Sequence, residues 1–360
     1  MGKAGNEILI IVQGLDSEQQ PQEWEGCTVL AWPSPRPTRL ADAFFLWRIL
    51  KQFKPDVIVA NFAPVNLCMT LGWLARVPTR IAWYRTLMAQ IHMDSSHVKW
   101  KRHFLRFRKS LVYRFATQLV AVSQKGKQEL LALFKVPDHK IKIIHTCRID
   151  PKPQYGLAKP SGSPLKIICV GRLHKSKGQD VLLRAVGDAC QRLEPNSIQV
   201  TLVGDGPAKA TLMDWVAENH LAQEIHFTGS IPHECVLQRL AQSDLAVFPI
   251  REDAGPGVLV EASAMGLPII ATRFEAGLDL HGNHSGIVWV EQEDSLAISE
   301  EITKILEEPD RLAIMGQASR SRFEEKFDMR SWVERVFNLL LDQRESPLQE
   351  SEIVKVSEQK

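Results

Sequence analysis

The chain has 360 residues, 44% hydrophobic and 24% charged, a balance that suits two globular domains with normal cores and excludes a disordered chain or a repeat array. The net charge of +2 is unevenly spread: residues 1–155 carry 23 Lys and Arg against 11 Asp and Glu, or +12, which leaves 21 against 31, or −10, for residues 156–360. The first half should seek an anionic partner. Six cysteines (Cys27, Cys68, Cys147, Cys169, Cys190 and Cys235) form no CxxC pair, and read as reduced core residues of a cytoplasmic protein. The apolar run at 8–12 is too short for a signal peptide, no run approaches the length of a membrane span, and the start lacks the Ser or Thr of a myristoylation signal. A membrane, if it matters, is met from the surface.

In chain order, residues 7–12 form the first predicted strand and lead into Gln13-Gly14, where the glycine either lets the backbone approach an acceptor or phosphate or makes a plain turn. A strand at 28–31, a proline-rich loop at 32–37, a helix at 40–53 and strands at 56–60 and 81–83 set up a βαβ rhythm. Along residues 99–115, Trp100, Phe104, Phe107, Leu111 and Phe115 share one helical face, while Lys99, Lys101, Arg102, Arg106, Arg108 and Lys109 crowd the rest. Such a basic amphipathic helix either docks on an anionic membrane, gaining about 1 kcal/mol per basic residue, or packs its aromatic stripe inward behind a solvated basic back. Strands at 118–123 and 141–145 flank a helix at 126–134. The Pro-, Gly- and Ser-rich stretch 151–164 marks the domain boundary, giving domains at 1–155 and 156–345. A second alternation places strands at 165–170, 199–203, 226–228, 245–248, 269–271 and 286–290 with helices between them, and ends in a polar tail at 346–360.

Two stretches of the second half carry chemistry. Residues 244–272 read DLAVFPIREDAGPGVLVEASAMGLPIIAT, which is a strand, a loop, a helix and a strand. Gly255-Pro256-Gly257 frees the loop backbone, Pro256 suits a first helical position, and Gly266 with Pro268 marks the stop, so the helix should run about three turns. Its N-terminus faces the carboxyl ends of the strands, where open parallel sheets bind ligands and free N–H groups attract phosphate. Asp253 and Glu261, eight residues apart, flank that corner and suit the hydroxyls of a sugar. Upstream, Gly171-Arg172-Leu173-His174-Lys175-Ser176-Lys177-Gly178 follows a strand, and its Arg172 fork and mobile Lys177 charge suit a diphosphate leaving group. It is not a Walker A loop, and Gly204-Asp205-Gly206-Pro207 lacks the third glycine of a dinucleotide fingerprint. Taken singly, an acidic loop in an ordinary βαβ unit and a basic surface loop account for each stretch equally well.

Together the segments are more specific. GRLHKSKGQDVLLRA, VTLVGDGP, IHFTGSIP, SDLAVFPI and DAGPGVLVEASAMGLPIIAT follow the order and rough spacing of the C-terminal domain of retaining glycosyltransferases of family 4, a resemblance that covers about residues 165–345. QLVAVSQKGKQELL and KIKIIHTCRID resemble the family's segments at the end of the N-terminal domain, and residues 327–341 look like its terminal helix, which crosses back to the first domain. The resemblance implies an α/β protein of the GT-B fold, with two Rossmann-like doubly wound domains facing a central cleft. Residues 1–155 would bind the acceptor and residues 156–345 the nucleotide sugar. It further implies that Arg172 and Lys177 hold the donor diphosphate, Glu261 the ribose and Asp253 the transferred sugar, with Gly14, Gly171, Gly255, Pro256, Gly257 and Val258 completing the donor site. Two departures stand out. Asp253 occupies a position where the family usually has Glu, and Tyr84, Arg85 and Thr86 stand where it often has a His, with His92 and His97 nearby.

The implied reaction moves a hexose-type sugar to an acceptor hydroxyl with retention, helped by fixed charge on the departing diphosphate and by domain closure that excludes water. The chain contains no Asp-x-Asp, and neither His281 and His284 nor the cysteines make a metal site, so no metal or other cofactor is expected. The expected partners are a nucleotide-sugar donor, a glycan or lipid-linked glycan of the cell envelope such as a lipopolysaccharide core or exopolysaccharide unit, and an anionic membrane surface. Nucleic acid is disfavoured because no recognition motif accompanies the basic helix. A sugar-nucleotide epimerase or phosphorylase of the same architecture, and a non-catalytic partner-binding subunit, are the alternative readings.

Overall fold

A computed structural model describes residues 7–13, 22–24, 26–94, 99–151, 164–327, 329 and 332–340 of the chain. Two compact units emerge, one of residues 1–85, 98–121 and 127–143, the other of residues 86–97, 122–126 and 144–360. The expected boundary at 155/156, like Gly14 and the polar tail, lies outside the described residues.

The first unit is built on two sheets. Strands β1 (Leu9–Val12), β2 (Gln22–Trp24) and β3 (Cys27–Ala31) form one in the order β1-β3-β2, with β2 antiparallel. Helix α1 (Leu40–Phe53) opens with Asp42, whose buried carboxylate accepts the Arg39 N–H at 2.8 Å and the Ser34 hydroxyl at 2.7 Å, satisfying a donor that the first turn would otherwise leave open. Strand β4 (Val57–Ala60), helix α2 (Val65–Leu74) and strand β5 (Thr79–Tyr84) follow. Helix α3 (Met88–Asp94) groups with the second unit, after which α4 (Lys99–Arg114), β6 (Gln118–Ala121), α5 (Gln124–Phe134) and β7 (Ile141–Ile143) complete a parallel four-stranded sheet in the order β4-β5-β6-β7.

Helix α4 corrects the inward-packing reading of the aromatic stripe. Phe104 and Phe107 are 61% and 68% exposed and Leu111 is exposed too, while Val112 and Tyr113 are the buried positions. Phe115, just past the helix, stacks on half-exposed Trp73 at 4.7 Å. Lys109 does not belong to the solvated basic face: its ammonium lies over the rings of Tyr84 and Phe134, and burial lowers its pKa to about 8 although Glu129 opposes the shift. Nothing is described of the side chains of Lys99, Trp100, Lys101 and Arg102.

The second unit carries six parallel strands: β8 (Leu165–Val170), β9 (Ile198–Val203), β10 (Ile225–Gly229), β11 (Leu245–Phe248), β12 (Ile269–Thr272) and β13 (Ile287–Val290). Their spatial order is β10-β9-β8-β11-β12-β13, the doubly wound arrangement, with its order reversing between β8 and β11. Both strands at that reversal are almost wholly buried, because helices cover both faces of such a sheet. The helices are α6 (Gln179–Cys190), α7 (Lys209–Glu218), α8 (His233–Ala241), α9 (Gly257–Ala264), α10 (Glu275–His281), α11 (Ser295–Glu307) and α12 (Asp310–Lys326), and residues 332–340 are helical as well. Helix α9 spans eight residues, about two turns where three were expected. Gly266, at φ 65°, returns its N–H to the Ser263 carbonyl at 3.0 Å and unwinds the last expected turn. Pro256 stands at the N-cap instead of the first helical position.

Candidate active site

Open parallel sheets bind ligands beyond the carboxyl ends of the strands where the order reverses. In the second unit the loops after β8 and β11 meet that condition, and they carry the predicted residues. After β8, Leu173 is buried and donates its N–H to the Asp205 carbonyl at 3.0 Å, while Arg172 stays exposed. His174 caps the following turn, its Nδ1 accepting the Ser176 N–H at 3.1 Å, so that Lys175–Lys177 forms one 3-10 turn that ends on Gly178 at φ 67°. A Cβ on Gly178 would collide with the carbonyl oxygen of Pro249. Glycine at this position therefore lets the turn after β8 press against the backbone leaving β11.

Arg251 fixes the second loop to the first. Its backbone N–H and that of Glu252 donate to the Ser176 carbonyl at 2.9 and 3.1 Å, and its guanidinium reaches Asp180 at 2.7 and 2.8 Å, Glu293 at 2.8 Å and the Lys175 carbonyl at 2.7 Å. The hydrogen bonds it donates to Glu293 and then to Asp180 raise its pKa above the ordinary arginine value. The consequence is a direct ion pair between Lys177 and Asp253, both largely buried. The other Asp253 oxygen accepts the Gly255 N–H at 3.1 Å, and Pro256 then hands the chain into α9.

Glu261 lies in the second turn of α9 and is buried. Its Oε1 receives the Arg148 Nε at 2.6 Å and lies 3.3 Å from His233 Nε2. The Arg148 guanidinium rests on Gly257, filling the space a side chain at that position would need. Val258 packs partly buried against the core, which leaves its backbone as the part that can face a ligand.

The geometry thus joins Lys177 to Asp253 and presents Gly255, Pro256, Gly257 and Glu261 along one loop and helix start, with Gly171 and Arg172 on the adjacent loop. Sequence reasoning missed Arg148, His233, Arg251, Asp180 and Glu293. Of the residues at the family's His position, Tyr84 is buried and donates its hydroxyl to Glu129 at 2.5 Å, whereas Arg85 and Thr86 are half-buried beyond the end of β5. The His92 side chain and His97 lie outside the described residues. Among the described residues, no group of three His, Cys, Asp or Glu side chains is placed to hold a metal ion. Burial, then the neighbouring His284, Arg322 and Lys326, lowers the His281 pKa to about 3, and burial, then Arg322 and Lys326, lowers that of His284 to about 4.

The family of glycosyl transferases group 1 matches residues 158–322, and the glycosyl transferase 4-like domain matches residues 1–147. Residues 158–322 belong to the group 1 glycosyl transferases. A GDP-mannose-dependent alpha-(1-6)-phosphatidylinositol monomannoside mannosyltransferase of Mycolicibacterium smegmatis is 31% identical over 222 residues, an alignment that spans 56% of this chain and 56% of that enzyme. Among solved structures, sucrose-phosphate synthase of Thermosynechococcus elongatus superposes with a TM-score of 0.77 at 19% identity, covering 96% of this chain and 90% of that one. Anabaena HepE in complex with UDP-glucose superposes with a TM-score of 0.74 at 16% identity, covering 93% and 99%. The architecture is GT-B, two α/β domains with parallel sheets.

Proposed function

We propose that this glycosyl transferase moves a hexose-type sugar from a nucleotide sugar to a hydroxyl of a cell-envelope glycan, with retention and without a metal. The observation that carries this reading is the Lys177–Asp253 pair at the strand-order reversal, next to the α9 start that presents Glu261. A nucleotide sugar has its diphosphate between a ribose and a hexose, and the site offers matching chemistry: Glu261 for ribose hydroxyls, Arg172 and Lys177 for the diphosphate, Asp253 for the hexose. Charge grows on the diphosphate as the sugar bond breaks, so two cations and the α9 N–H groups lower the barrier without a metal. Asp253 is engaged by Lys177 and by the Gly255 N–H, an arrangement suited to holding hydroxyls and unlike the facing acid and nucleophile of a hydrolase. The envelope acceptor is supported by the name of the mannosyltransferase relative, which specifies a phosphatidylinositol mannoside, and by the +12 charge of residues 1–155. The same charge, with the exposed apolar face of α4, supports a peripheral place on the inner face of a bacterial membrane.

Calorimetry with UDP-, GDP- and ADP-linked hexoses and the matching free diphosphates tests the roles. Glu261→Gln should weaken the free nucleoside diphosphate, whereas Asp253→Asn should leave it intact and weaken only the full sugar nucleotide. Arg172→Ala and Lys177→Ala should each lower turnover by about two orders of magnitude, the usual loss for one charge-stabilising donor, and a chelator should leave wild-type turnover unchanged. The reverse binding pattern, or wild-type turnover in both cation variants, would overturn the assignment.

A further inference from the structure

The second unit encloses two histidines that the donor chemistry does not use. His281, the last residue of α10, is fully buried, and no described residue hydrogen-bonds either of its ring nitrogens. In the turn that follows, His284 accepts the Gly286 N–H on Nδ1 at 3.2 Å, so its own proton sits on Nε2, which is sealed from solvent and has no partner among the described residues. The two rings stack at 6.0 Å, and His281 lies 4.9 Å from the ring of Phe327, just past α12. The backbone around them is clasped. From α12, the Ser319 hydroxyl donates to the Gly286 carbonyl at 2.9 Å and the Arg322 Nε to the His281 carbonyl at 3.0 Å, while Trp289 of β13 donates its Nε1 to the Gly282 carbonyl at 3.0 Å.

The charges around the rings oppose their protonation. Arg322 and Lys326 of α12 act on both histidines, and His145 and Arg335 line a cavity of about 300 Å³ with Lys326 and Phe327. The neighbouring carboxylates are engaged elsewhere: Glu325 lies 3.9 Å from Arg322, Asp279 takes the Gln124 N–H at 2.6 Å and lies 3.2 Å from His145, and Glu261 of α9 takes Arg148. A charged His284 would also set its Nδ1–H against the Gly286 N–H, two donors with no acceptor between them. Burial, reinforced by the cations, holds both rings neutral, with a pKa of about 3 for His281 and about 4 for His284.

The geometry points to an acid-sensitive latch: neutral His281 and His284 seal α10 and its following turn against α12, and acidification opens that seam. Once the seam opens, each ring is an ordinary histidine that binds a proton below about pH 6.5. The open form therefore gains protons as pH falls, so the latch is fully closed above about pH 6.5 and loses its hold progressively down to about pH 4. Leu280, Phe323 and Phe327 at the seam share one core with Val260 and Ala264 of α9, the helix that carries Glu261. Acid thus loosens the backing of α9, an extension that rests on the donor role proposed for that helix. The latch itself does not.

Hydrogen exchange of the full chain, read on peptides from α10 and the end of α12 and corrected for the intrinsic rate, tests the seam. Between pH 6 and 5 the open fraction should rise about sixtyfold, since each freed histidine contributes about eightfold. His281→Gln or His284→Asn alone should leave a rise of about eightfold, and the double variant none; asparagine keeps an acceptor for the Gly286 N–H. An equal rise in wild type and double variant, or no rise in wild type, would overturn the latch. Proton NMR of the natural chain decides the question even if the variants fail to fold: of the eleven histidines, at least two should keep unshifted ring resonances from pH 8 to 5, and fewer than two would overturn it as well. Affinity for UDP and GDP is measured on the same samples, and wild type should lose more of it between pH 7 and 5 than the double variant. An equal loss in both would overturn the extension to α9, whereas no nucleotide binding at any pH would refute the donor reading and leave the latch standing.

Discussion

At the scale of single residues, the surprise is the company Glu261 keeps. Arg148 and His233 share one of its oxygens, and the proposed ribose contact falls to the other. A carboxylate on the second turn of a short helix has several rotamers to choose from, and a charge-assisted bond at 2.6 Å selects one. Under the proposed role of Glu261, Arg148 is a positioning residue that acts on the ribose through it. Arg148→Ala should weaken a nucleoside diphosphate about tenfold, as Glu261→Gln should, and the double variant should be no weaker than about tenfold, since both remove one device. Additive losses near a hundredfold in calorimetry would mean that Arg148 acts independently of Glu261.

At the scale of elements, the site depends on how two loops are pressed together. Gly178 allows the contact and Arg251 locks it, and only then does Lys177 reach Asp253. Gly178→Ala adds a strained φ of 67° to a collision with the Pro249 backbone, so the turn must shift. Urea unfolding should show a loss of about 2 kcal/mol or more, and nucleotide-sugar affinity should fall with it. Wild-type stability together with wild-type affinity would show that the two loops need no such contact.

Much of this was readable in advance: α1 and the strands β8 and β11 fall where periodicity and bounding prolines and glycines put them, because each buries its apolar residues in a regular pattern. Helix α2 escaped because VNLCMTLGWL is apolar nearly all round and shows no helical period. The three-residue β2 offered too little sequence to read. Arg148 and Glu261 are 113 residues apart, and Arg251 finds Asp180 across 71. Such pairs are products of topology, and no local spacing announces them.

At the scale of the whole molecule, charge and apolar exposure coincide. The +12 half of the sequence contains α4, whose Phe104, Phe107 and Leu111 face outward, and the same unit exposes Trp73 and Leu74 on α2, a helix that α4 contacts. Aromatic side chains on a basic helix enter the headgroup region of a bilayer, and basic residues draw that helix to anionic lipid. Among the described residues no helix is long and apolar enough to cross a membrane. The informative substitutions avoid Lys109, whose ammonium lies over the Tyr84 and Phe134 rings and would cost stability if reversed in charge. Phe104→Ser with Phe107→Ser removes the inserting face, and Arg108→Glu removes attraction while leaving that face intact. In vesicle sedimentation, wild type should partition to anionic vesicles over neutral ones, and less so as added salt shortens the screening length below about 8 Å. The double serine variant should lose binding at every salt concentration, whereas Arg108→Glu should lose it chiefly at low salt, where attraction matters most. Equal partition of all three proteins into both lipids would place the acceptor in solution and leave the exposed face of α4 without a membrane role.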